Sequence, residues 1–401
     1  MNGNKLVCHI SFNHSPFDDR IYWKELLSLK EAGYETVHIA VGDHYSDFIS
    51  EEGVRIIIIK KEILFKPFRK FPLLNKALQA LFHKKGTINN IFQVAASLSA
   101  SVYHYHDLQI NAITKALKNL PHKPKVIYDA HEAYHLLIKE VNSTNYPHYF
   151  LKKLASRFIP RWEIRNAAYC DYIITTDAYT NNYFEKNLPS IPQIIIYNYS
   201  YFLNTHHKAT EKKYDFIYSG LLSETRGIKE IIFSIHKCIS TFPEIKLLLI
   251  GIFNTESFEK QITTLIKQLN LENNVTVKPS VPFQQMNYYY ATSRIGLCLL
   301  YETPKYSTAL PIKLFEYMAF ELPVIFSNHG PSSQIISEEN CGLLVDYHDI
   351  NEVYHAMQML LLNNELSKEL GKNGKDAVIE RYNWKREKNK LLTVYSFLNN
   401  K

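Results

Sequence analysis

Several features that would place the chain in a specialised class of protein are missing from its sequence. Only five of the 401 residues are cysteine, and they are scattered without a Cys-x-x-Cys pair or a metal-ligand spacing. This pattern excludes a disulfide-stabilised secreted scaffold and indicates free thiols in a reducing compartment. No apolar run approaches the roughly 18 residues that a membrane-spanning helix needs.

Two further absences narrow the possible classes of protein. Residues 1–12 lack the apolar region of a signal peptide, because Lys5 and His9 interrupt it. No Gly-x-Ser-x-Gly motif occurs, which argues against a serine hydrolase. We therefore expect a cytoplasmic protein without a nucleophilic catalytic triad.

The formal net charge of +7 suits nucleic acid, a membrane surface or an anionic substrate as a partner. The segment from Lys60 to Lys85 interleaves basic residues with Phe and Leu, which is typical of an interfacial segment on anionic lipid. A basic loop and helix that packs its apolar face on its own domain is the alternative. The stretch from His148 to Arg165 allows the same two interpretations. We expect no nucleic-acid partner.

Two segments of the chain share one pattern of hydrophobic runs. Each is typical of a strand, polar loop, helix and strand: KLVCHISF through ETVHIAV, and YDFIYSG through IKLLLIG. Continuous apolar strands that alternate with helices predict parallel sheets. The sequence therefore predicts an α/β protein with two doubly wound domains, at residues 1–200 and 204–385. An amphipathic helix follows Trp384, and residues 386–401 are assigned to the first domain.

One acidic residue lies where an acid is costly. The stretch ALPIKLFEYMAFELPVIFS (309–327) places Glu316 in a short apolar helix that leads into a strand. A buried carboxylate is unfavourable unless a donor hydrogen-bonds it, so the protein or a ligand must supply that donor. The residues alone leave two interpretations: a pair of ligand hydroxyls, or an ion pair with Lys313 one turn earlier.

The start of the same helix is a predicted anion site. Pro311 suits the first helical position, so the helix amino terminus is expected near Leu310. Free N–H groups and the helix dipole favour an anion such as a diphosphate there. Glu316 lies about five residues further on, roughly 7–8 Å along the axis. This is about the reach from a nucleotide's phosphates to its ribose hydroxyls.

The stretch PIKLFEYMA followed by PVI resembles the nucleotide-sugar signature of glycosyltransferase family 4. The resemblance continues through the second domain in YSGLLSETRGIKE, LLIGIFN, VPFQQMNYYYATSRIGLCLL, NCGLLV and RYNWKREKNKLL. In the first domain it is carried by SPFDDRIYWKELLSLKEAGYE, VYHYHDLQ and VIYDAHEAY. The resemblance implies a retaining transferase of the GT-B architecture, with two facing Rossmann-like domains and a last helix that crosses back to the first domain.

The resemblance also implies roles for residues of the second, nucleotide-sugar-binding domain. Glu316 matches the acid that holds the donor ribose. Arg226 matches the basic residue on the donor diphosphate, where negative charge develops as the glycosidic bond breaks. Gly220 lets the backbone approach the phosphates. The other expected donor-site residues are Thr308, Ala309, Leu310 and Lys313.

In the first, acceptor-binding domain, His131 of YDAHE matches the family's histidine near the donor sugar. We expect it to take part in catalysis with Arg226 and Glu316. The expected acceptor-side residues are His106, Asp107, Asp19 and Arg20. A structural role is the alternative for each histidine, since the chain contains 17 of them.

Three positions depart from the family pattern. Thr308 stands where the family usually carries a second acid that contacts the donor sugar. Leu221 stands where an arginine is common, and NHSPFDDR replaces the glycine-rich turn after the first strand. These changes bear on the sugar contacts more than on the nucleotide contacts.

We expect no cofactor and no metal. The Asp-x-Asp motif of the other major transferase architecture is absent, and the nearest candidates are Asp18-Asp19 and Asp129-Ala130-His131. The expected partners are a UDP- or GDP-type nucleotide sugar and a saccharide acceptor, lipid-linked, in cell-surface polysaccharide biosynthesis at the inner membrane face. Two alternatives stay open: a nucleotide-sugar epimerase of the same architecture, and a catalytically silent nucleotide-sugar-binding subunit.

Overall fold

A computed structural model describes residues 5–62, 86–131, 134, 146–200, 211–304 and 306–399. The chain forms two compact units: unit 1 is Met1–Asn198 with Glu387–Lys401, and unit 2 is Tyr199–Arg386. The end of the chain thus returns to unit 1, as the resemblance implied. None of the helices in the described ranges is both long and apolar enough to cross a membrane.

Unit 1 is built on an eight-stranded sheet. Its strands are β1 Leu6–Ile10, β2 Glu35–Gly42, β3 Ser46–Ile49, β4 Arg55–Lys60, β5 Val102–Tyr105, β6 Lys125–Ala130, β7 Tyr172–Thr175 and β8 Gln193–Ile195. They lie in the order β3-β4-β2-β1-β5-β6-β7-β8, and only β3 pairs antiparallel with its neighbour. The sheet is therefore parallel at its centre, where the carboxyl ends of β1, β5 and β6 lie side by side.

The first helix of unit 1 differs from its prediction. The sequence predicts one helix ending at Gly33, whereas the structure has a π-helical segment, Asp19–Leu26, followed by α1, Leu27–Glu31. A π-helical turn is rare and often occurs at functional sites. Here the segment turns Arg20 and Glu25 into the interior, where both are buried.

The other helices of unit 1 cover its sheet. They are residues 86–98 (α2), Thr114–Lys118 (α3, after the 3-10 helix Leu108–Ile113), Tyr146–Ala167 (α4) and Ala178–Asn187 (α5).

Unit 2 is built on a six-stranded parallel sheet. Its strands are β9 Tyr214–Ser219, β10 Leu247–Ile250, β11 Val275–Lys278, β12 Ser293–Cys298, β13 Val324–Ser327 and β14 Gly342–Val345. Their order is β11-β10-β9-β12-β13-β14. The helices are α6 Ile228–Cys238, α7 Glu256–Gln268, α8 Phe283–Ala291, α9 Ile312–Ala319, α10 Gly330–Glu339, α11 Ile350–Leu362 and α12 Asn364–Glu380. The last helix, α13 Trp384–Asn399, leads back into unit 1.

The central strands of both sheets are buried, and most of their residues are apolar. The four residues of β10, LLLI, are all buried, and α6 covers the sheet with Ile228, Ile231 and Ile235 at helical spacing. The predicted α/β class with two parallel-sheet, Rossmann-like domains is therefore confirmed.

Helix α9 begins one residue later than the sequence indicated. Pro311 has an extended backbone (φ −68°, ψ 126°), so it precedes the helix, and the first helical residue is Ile312. The Pro311 carbonyl accepts a hydrogen bond from the Leu314 N–H (3.0 Å), as the carbonyl of an N-cap residue does. The amino terminus of α9 still adjoins Leu310.

Gly227 joins the turn that carries Arg226 to helix α6, with a left-handed φ of +68°. A Cβ there would lie 2.3 Å from the Leu299 carbonyl oxygen. We expect Gly227→Ala to lower the free energy of unfolding by about 2–5 kcal/mol, from backbone strain and overpacking together. Gly33→Ala is the matched control, because Gly33 has a φ of +86° and nothing within 4 Å of its Cβ position. Denaturant unfolding measures both variants. If Gly33→Ala lost as much stability as Gly227→Ala, the clash with Leu299 would not be the cause of the loss.

Candidate active site

The loop after β9 brings one glycine backbone into reach of two cations. Gly220 has a φ of +115°, and its N–H donates to the Ile250 carbonyl (2.9 Å). A Cβ at Gly220 would lie 3.2 Å from Lys313 Nζ and 3.6 Å from a terminal guanidinium nitrogen of Arg226. The ammonium and the guanidinium therefore flank one backbone position at the carboxyl end of the sheet, where α/β sheets bind ligands.

Arg226 is held by tyrosines. It ends the 3-10 helix Glu224–Arg226, and its Nε donates to the Tyr306 hydroxyl (3.1 Å). Burial alone would lower the pKa of this guanidinium, but the hydroxyls of Tyr218 and Tyr306 outweigh burial, so the pKa lies above its ordinary value. Arg226 is therefore a fixed positive charge at neutral pH.

Lys313 is a buried cation in the first turn of α9. The residue is 4% exposed, and its Nζ lies 3.7 Å from the centre of the Tyr218 ring. This Nζ makes no hydrogen bond to any residue that the structure describes. Burial lowers the pKa of Lys313 to about 7. An anion beside the ammonium would restore its preference for the charged form.

Glu316 lies one turn after Lys313 and is 8% exposed. Its Oε2 accepts a hydrogen bond from the Tyr290 hydroxyl (2.7 Å), which also lies 3.1 Å from Ser219 Oγ at the end of β9. The sequence left open an ion pair between Glu316 and Lys313. In the structure the Glu316 carboxylate accepts its hydrogen bond from Tyr290, and Lys313 Nζ donates none to a described residue. Tyr290 ties Glu316 to the strand that carries the glycine loop.

The remaining donor-site candidates of unit 2 precede α9. Thr308, Ala309 and Leu310 are half-buried, and Thr308 Oγ1 lies 3.5 Å from the Pro304 carbonyl, too far for a strong hydrogen bond. Unit 2 thus brings Gly220, Arg226, Lys313 and Glu316 together and places residues 308–310 directly before the helix that carries two of them.

A second polar cluster lies inside unit 1, at the carboxyl ends of β1, β5 and β6. His131 Nε2 lies 3.0 Å from His106 Nδ1, and His106 Nε2 lies 3.0 Å from His9 Nδ1. The Tyr395 hydroxyl lies 3.1 Å from His9 Nε2 and 2.9 Å from His104 Nδ1. Burial lowers the pKa of His9, His104 and His106, so these rings are neutral at pH 7. The five groups form one hydrogen-bonded chain.

Two of the expected acceptor-side residues, Arg20 and His106, are buried inside unit 1. Arg20 lies 2.9 Å from Asp129 Oδ2 and 2.9 Å from Glu25 Oε1, and it donates to the Ile196 carbonyl (2.9 Å). The donors of Arg20 are thus used by groups of unit 1.

The pKa values of the two carboxyl groups beside Arg20 are shifted in opposite directions. Burial alone would raise the pKa of Asp129, but the guanidinium and the neighbouring histidines outweigh it, and this pKa lies well below its ordinary value. Burial raises the pKa of Glu25 well above its ordinary value. The pair therefore carries one firm negative charge, on Asp129, and a second carboxyl group that favours a proton.

The other first-domain candidates organise the loop after β1. Asp107 Oδ2 accepts from the backbone N–H of Phe12 (2.7 Å) and of Asn13 (3.0 Å), so it holds the NHSPFDDR loop in place of a glycine-rich turn. Asp19 forms an ion pair with Lys24 (2.6 Å). The His131 side chain is 11% exposed, which makes it the accessible end of the histidine chain.

Several residues of these clusters were missed in the sequence. His104 was missed although it lies on β5 two positions before the expected His106, a spacing that places both side chains on one side of an extended chain. The sequence does not predict the contact of Tyr395 with the histidines, because Tyr395 is 291 positions from His104. Gly251 is also required, because a Cβ there would lie 1.7 Å from the Gly220 carbonyl oxygen. The other missed residues are His9, Glu25, Tyr218, Tyr290 and Tyr306.

Residues 203–377 match the family model of glycosyl transferases group 1. An uncharacterized glycosyltransferase of Haemophilus influenzae is 24% identical over 198 residues, 49% of this chain and 53% of that protein. Another, of Methanocaldococcus jannaschii, is 24% identical over 350 residues, 87% of this chain and 86% of that protein. The first three curated relatives are matched over about half of their own length.

Two solved structures share the fold. Sucrose-phosphate synthase of Thermosynechococcus elongatus has a TM-score of 0.74 at 18% identity, over 98% of this chain and 99% of that one. Anabaena HepE, solved in complex with UDP-glucose, has a TM-score of 0.68 at 12% identity, over 97% and 99%. At these identities the likeness shows the fold of GT-B glycosyltransferases. The group 1 match over residues 203–377 and the glycosyltransferase names of the relatives support a transferase enzyme.

Lys313 yields a prediction about stability without ligand. Its pKa falls from 10.5 to about 7 on folding, so the unfolded chain binds more protons between these values and stability rises with pH across that window. Below about pH 7 the full penalty of the buried charge is present. We expect Lys313→Met to raise the free energy of unfolding by roughly 2–4 kcal/mol at pH 6, a gain that shrinks as the pH rises above 7.

Denaturant unfolding at several pH values measures this gain. Lys212→Met is the control, because Lys212 Nζ is satisfied by the carbonyls of Ala291 (3.0 Å) and Ser293 (2.7 Å). That variant should lose stability. A loss of stability in Lys313→Met at pH 6 would show that the ammonium has a partner.

Proposed function

We propose that this protein is a retaining, metal-independent glycosyltransferase that moves a sugar from a nucleoside-diphosphate sugar to a saccharide acceptor. The observation that carries the proposal is the convergence of Arg226 and Lys313 on the backbone of Gly220, with Glu316 one turn further along the helix of Lys313. The group 1 match over residues 203–377 and the UDP-glucose of HepE support a nucleotide-sugar donor of the UDP type. A GDP-sugar is the alternative donor.

The donor diphosphate would lie between the two cations. The guanidinium of Arg226 offers parallel N–H donors to phosphate oxygens, and Tyr306 fixes its orientation. The Lys313 ammonium, costly to bury alone, would be stabilised by the same anion. As the bond to the sugar breaks, negative charge grows on the leaving diphosphate. The Arg226 guanidinium, and the Lys313 ammonium held charged by the same anion, would stabilise it without a metal ion.

The ribose would lie against Glu316. Three helical residues separate it from Lys313, about 4.5 Å along the axis, so phosphate and ribose contacts lie on one short helix. The Tyr290 hydroxyl orients the carboxylate at 2.7 Å. A carboxylate in a buried position accepts hydroxyl hydrogen bonds strongly, which suits recognition of the ribose diol.

In unit 1 we assign substrate contact to His131. It is the exposed end of the histidine chain, and Asp129 Oδ2 lies 3.2 Å from its Nε2. The proposed acceptor is a lipid-linked saccharide in cell-surface polysaccharide biosynthesis. Asp107 and Asp19 would act by shaping the loop after β1, as their backbone and lysine contacts indicate.

A donor panel tests the proposal. Purified protein is incubated with UDP- and GDP-sugars, with and without a lipid extract as acceptor, and free nucleoside diphosphate is measured. Transfer predicts release of nucleoside diphosphate that increases with acceptor. A new nucleotide sugar without release would indicate epimerisation, and neither product from any donor would indicate a silent subunit; either result contradicts the proposal.

Glu316→Gln tests the ribose contact. The glutamine amide oxygen can still accept from Tyr290, so stability without ligand should hold, whereas UDP binding should weaken by about 1.5–3 kcal/mol, the usual value for hydrogen bonds to a charged group. Calorimetric titration with UDP and GDP measures it. Glu163→Gln is the matched control, since Glu163 is a buried acid that accepts from Tyr128 (2.8 Å) in unit 1. Unchanged affinity in a folded Glu316→Gln protein would refute the ribose role.

The proposal includes contact with an anionic membrane surface. From residue 63 onwards, the Lys60–Lys85 segment lies outside the described residues. The proposed membrane contact therefore rests on helix α4. Arg157, Arg161 and Arg165 recur every fourth residue and line one groove of about 480 Å³. Beside them Phe158 is 65% and Trp162 38% exposed. A row of arginines next to exposed rings suits lipid phosphates and the acyl boundary.

Replacing the three arginines of this row with glutamine should weaken binding to vesicles of acidic phospholipid by about 3 kcal/mol, near 1 kcal/mol per basic residue. Vesicle co-sedimentation measures it, and added salt should weaken wild-type binding in the same direction. The control carries the same charge change on unit 2: Lys260→Gln, Lys267→Gln and Lys372→Gln. Equal losses in both proteins would show that only net charge matters.

A further inference from the structure

Four side chains converge at one point inside unit 1. His9 comes from β1, Glu25 from the π-helical segment, and His104 and His106 from β5 and the residue after it. All four are 0% exposed. One ligand atom of each lies within 4.8 Å of the others. None of the four is assigned a substrate contact, and the cluster adjoins the proposed transfer site through His131, whose Nε2 lies 3.0 Å from His106 Nδ1.

The distances within the cluster suit a small metal ion. From Glu25 Oε2 the nearest nitrogens lie at 3.6 Å (His9 Nδ1), 3.8 Å (His106 Nε2) and 4.0 Å (His104 Nε2). His9 Nδ1 and His106 Nε2 are 3.0 Å apart. Tetrahedral Zn²⁺ with bonds of about 2.0–2.1 Å separates its ligand atoms by roughly 3.3–3.4 Å. Four of the six separations, 3.0–4.0 Å, lie on either side of that value, and the other two are no longer than 4.8 Å.

Two of the proposed ligand atoms lack a partner within the described part of the chain. Glu25 Oε2 and His104 Nε2 are fully buried and accept no hydrogen bond there. An unsatisfied buried acceptor costs about 1–3 kcal/mol, so a structure rarely leaves two of them at one point. A cation between them would satisfy both.

The outer atoms of the same side chains are held as metal ligands usually are. The second nitrogens of His9 and His104 both lie within 3.1 Å of the Tyr395 hydroxyl, whose two lone pairs can accept both N–H groups. His106 Nδ1 lies 3.0 Å from His131 Nε2. With a metal ion bound, each ring would carry its proton on the outward nitrogen, where these partners can accept it, and would offer the inward nitrogen to the ion.

The chemistry of the ligand set also suits a cation. Arg20 lies 2.9 Å from both Asp129 Oδ2 and Glu25 Oε1, whereas the other oxygen of Glu25 lies within 4.0 Å of all three histidines. Three imidazoles and a carboxylate are a ligand set typical of divalent transition metals.

We propose that His9, Glu25, His104 and His106 bind a divalent transition-metal ion, with Zn²⁺ as the first candidate. Four protein ligands leave no open coordination position, so the ion stabilises the fold and takes no part in sugar transfer. It ties β1, β5 and the π-helical segment together and, through Tyr395, the last helix of the chain. The proposal revises the expectation that the chain holds no metal and is independent of the proposed transferase activity.

Metal analysis of the wild-type protein, purified without a histidine tag, is the first test. We expect about one transition-metal ion per chain that survives dialysis, because buried ligands exchange slowly. Protein stripped by unfolding in chelator should gain about 5–10 °C in melting temperature when refolded with Zn²⁺ at about a hundredfold excess over its Kd. In the stripped protein Co²⁺ should give the visible absorption of a tetrahedral site.

His104→Gln is the test variant and His38→Gln the matched control. His38 is an equally buried histidine of unit 1, but its nitrogens are satisfied by Ser11 Oγ and the Pro16 carbonyl, both at 3.0 Å. We expect His104→Gln to lose the metal and the response to Zn²⁺, and His38→Gln to keep both. Wild-type protein without metal and without a melting shift from Zn²⁺, Co²⁺ or Ni²⁺ would overturn the proposal and identify the cluster as a proton-sharing network. Loss of metal from both variants alike would also overturn it.

Discussion

Charge buried at the carboxyl ends of two parallel sheets is the constraint on which the rest of the structure depends. Neither the Lys313 ammonium of unit 2 nor the Arg20 guanidinium of unit 1 is exposed, and a buried charge is costly unless partners surround it. The two units compensate their buried charge differently. Unit 1 surrounds Arg20 with Asp129 and Glu25, whereas in the described part of unit 2 the Lys313 ammonium lies over the Tyr218 ring and makes no hydrogen bond.

That difference separates the expected roles of the units. A cation that gains little from its own protein gains much from an anionic ligand, which is why the proposed diphosphate is placed in unit 2. The charges of unit 1 are compensated internally, and this makes the histidine chain a rigid support for His131 at its exposed end. In unit 2 the loop after β9 is fixed by backbone packing, because a Cβ at Gly251 would lie 1.7 Å from the Gly220 carbonyl oxygen.

Tyrosine is the residue that makes both arrangements feasible. Tyr290 and Tyr395 are fully or almost fully buried, yet each brings a hydroxyl to a polar group: to Glu316 in one unit and to His9 and His104 in the other. A tyrosine ring packs as an apolar side chain while its hydroxyl satisfies one or two polar partners. The 28 tyrosines of the chain therefore allow polar groups to be buried with few additional charges.

The sequence by itself determined the two α/β domains, because apolar strands such as β10 and amphipathic helices such as α6 carry their pattern locally. It also indicated Glu316, Arg226 and Gly220, whose motif is contiguous or close to a strand end. Only the tertiary structure decided which charges meet: Arg20 with Asp129, Lys313 with Gly220, and Glu25 with three histidines. These groups come from separate strands and helices, and the position where such elements converge depends on sheet order and packing, which no local pattern encodes.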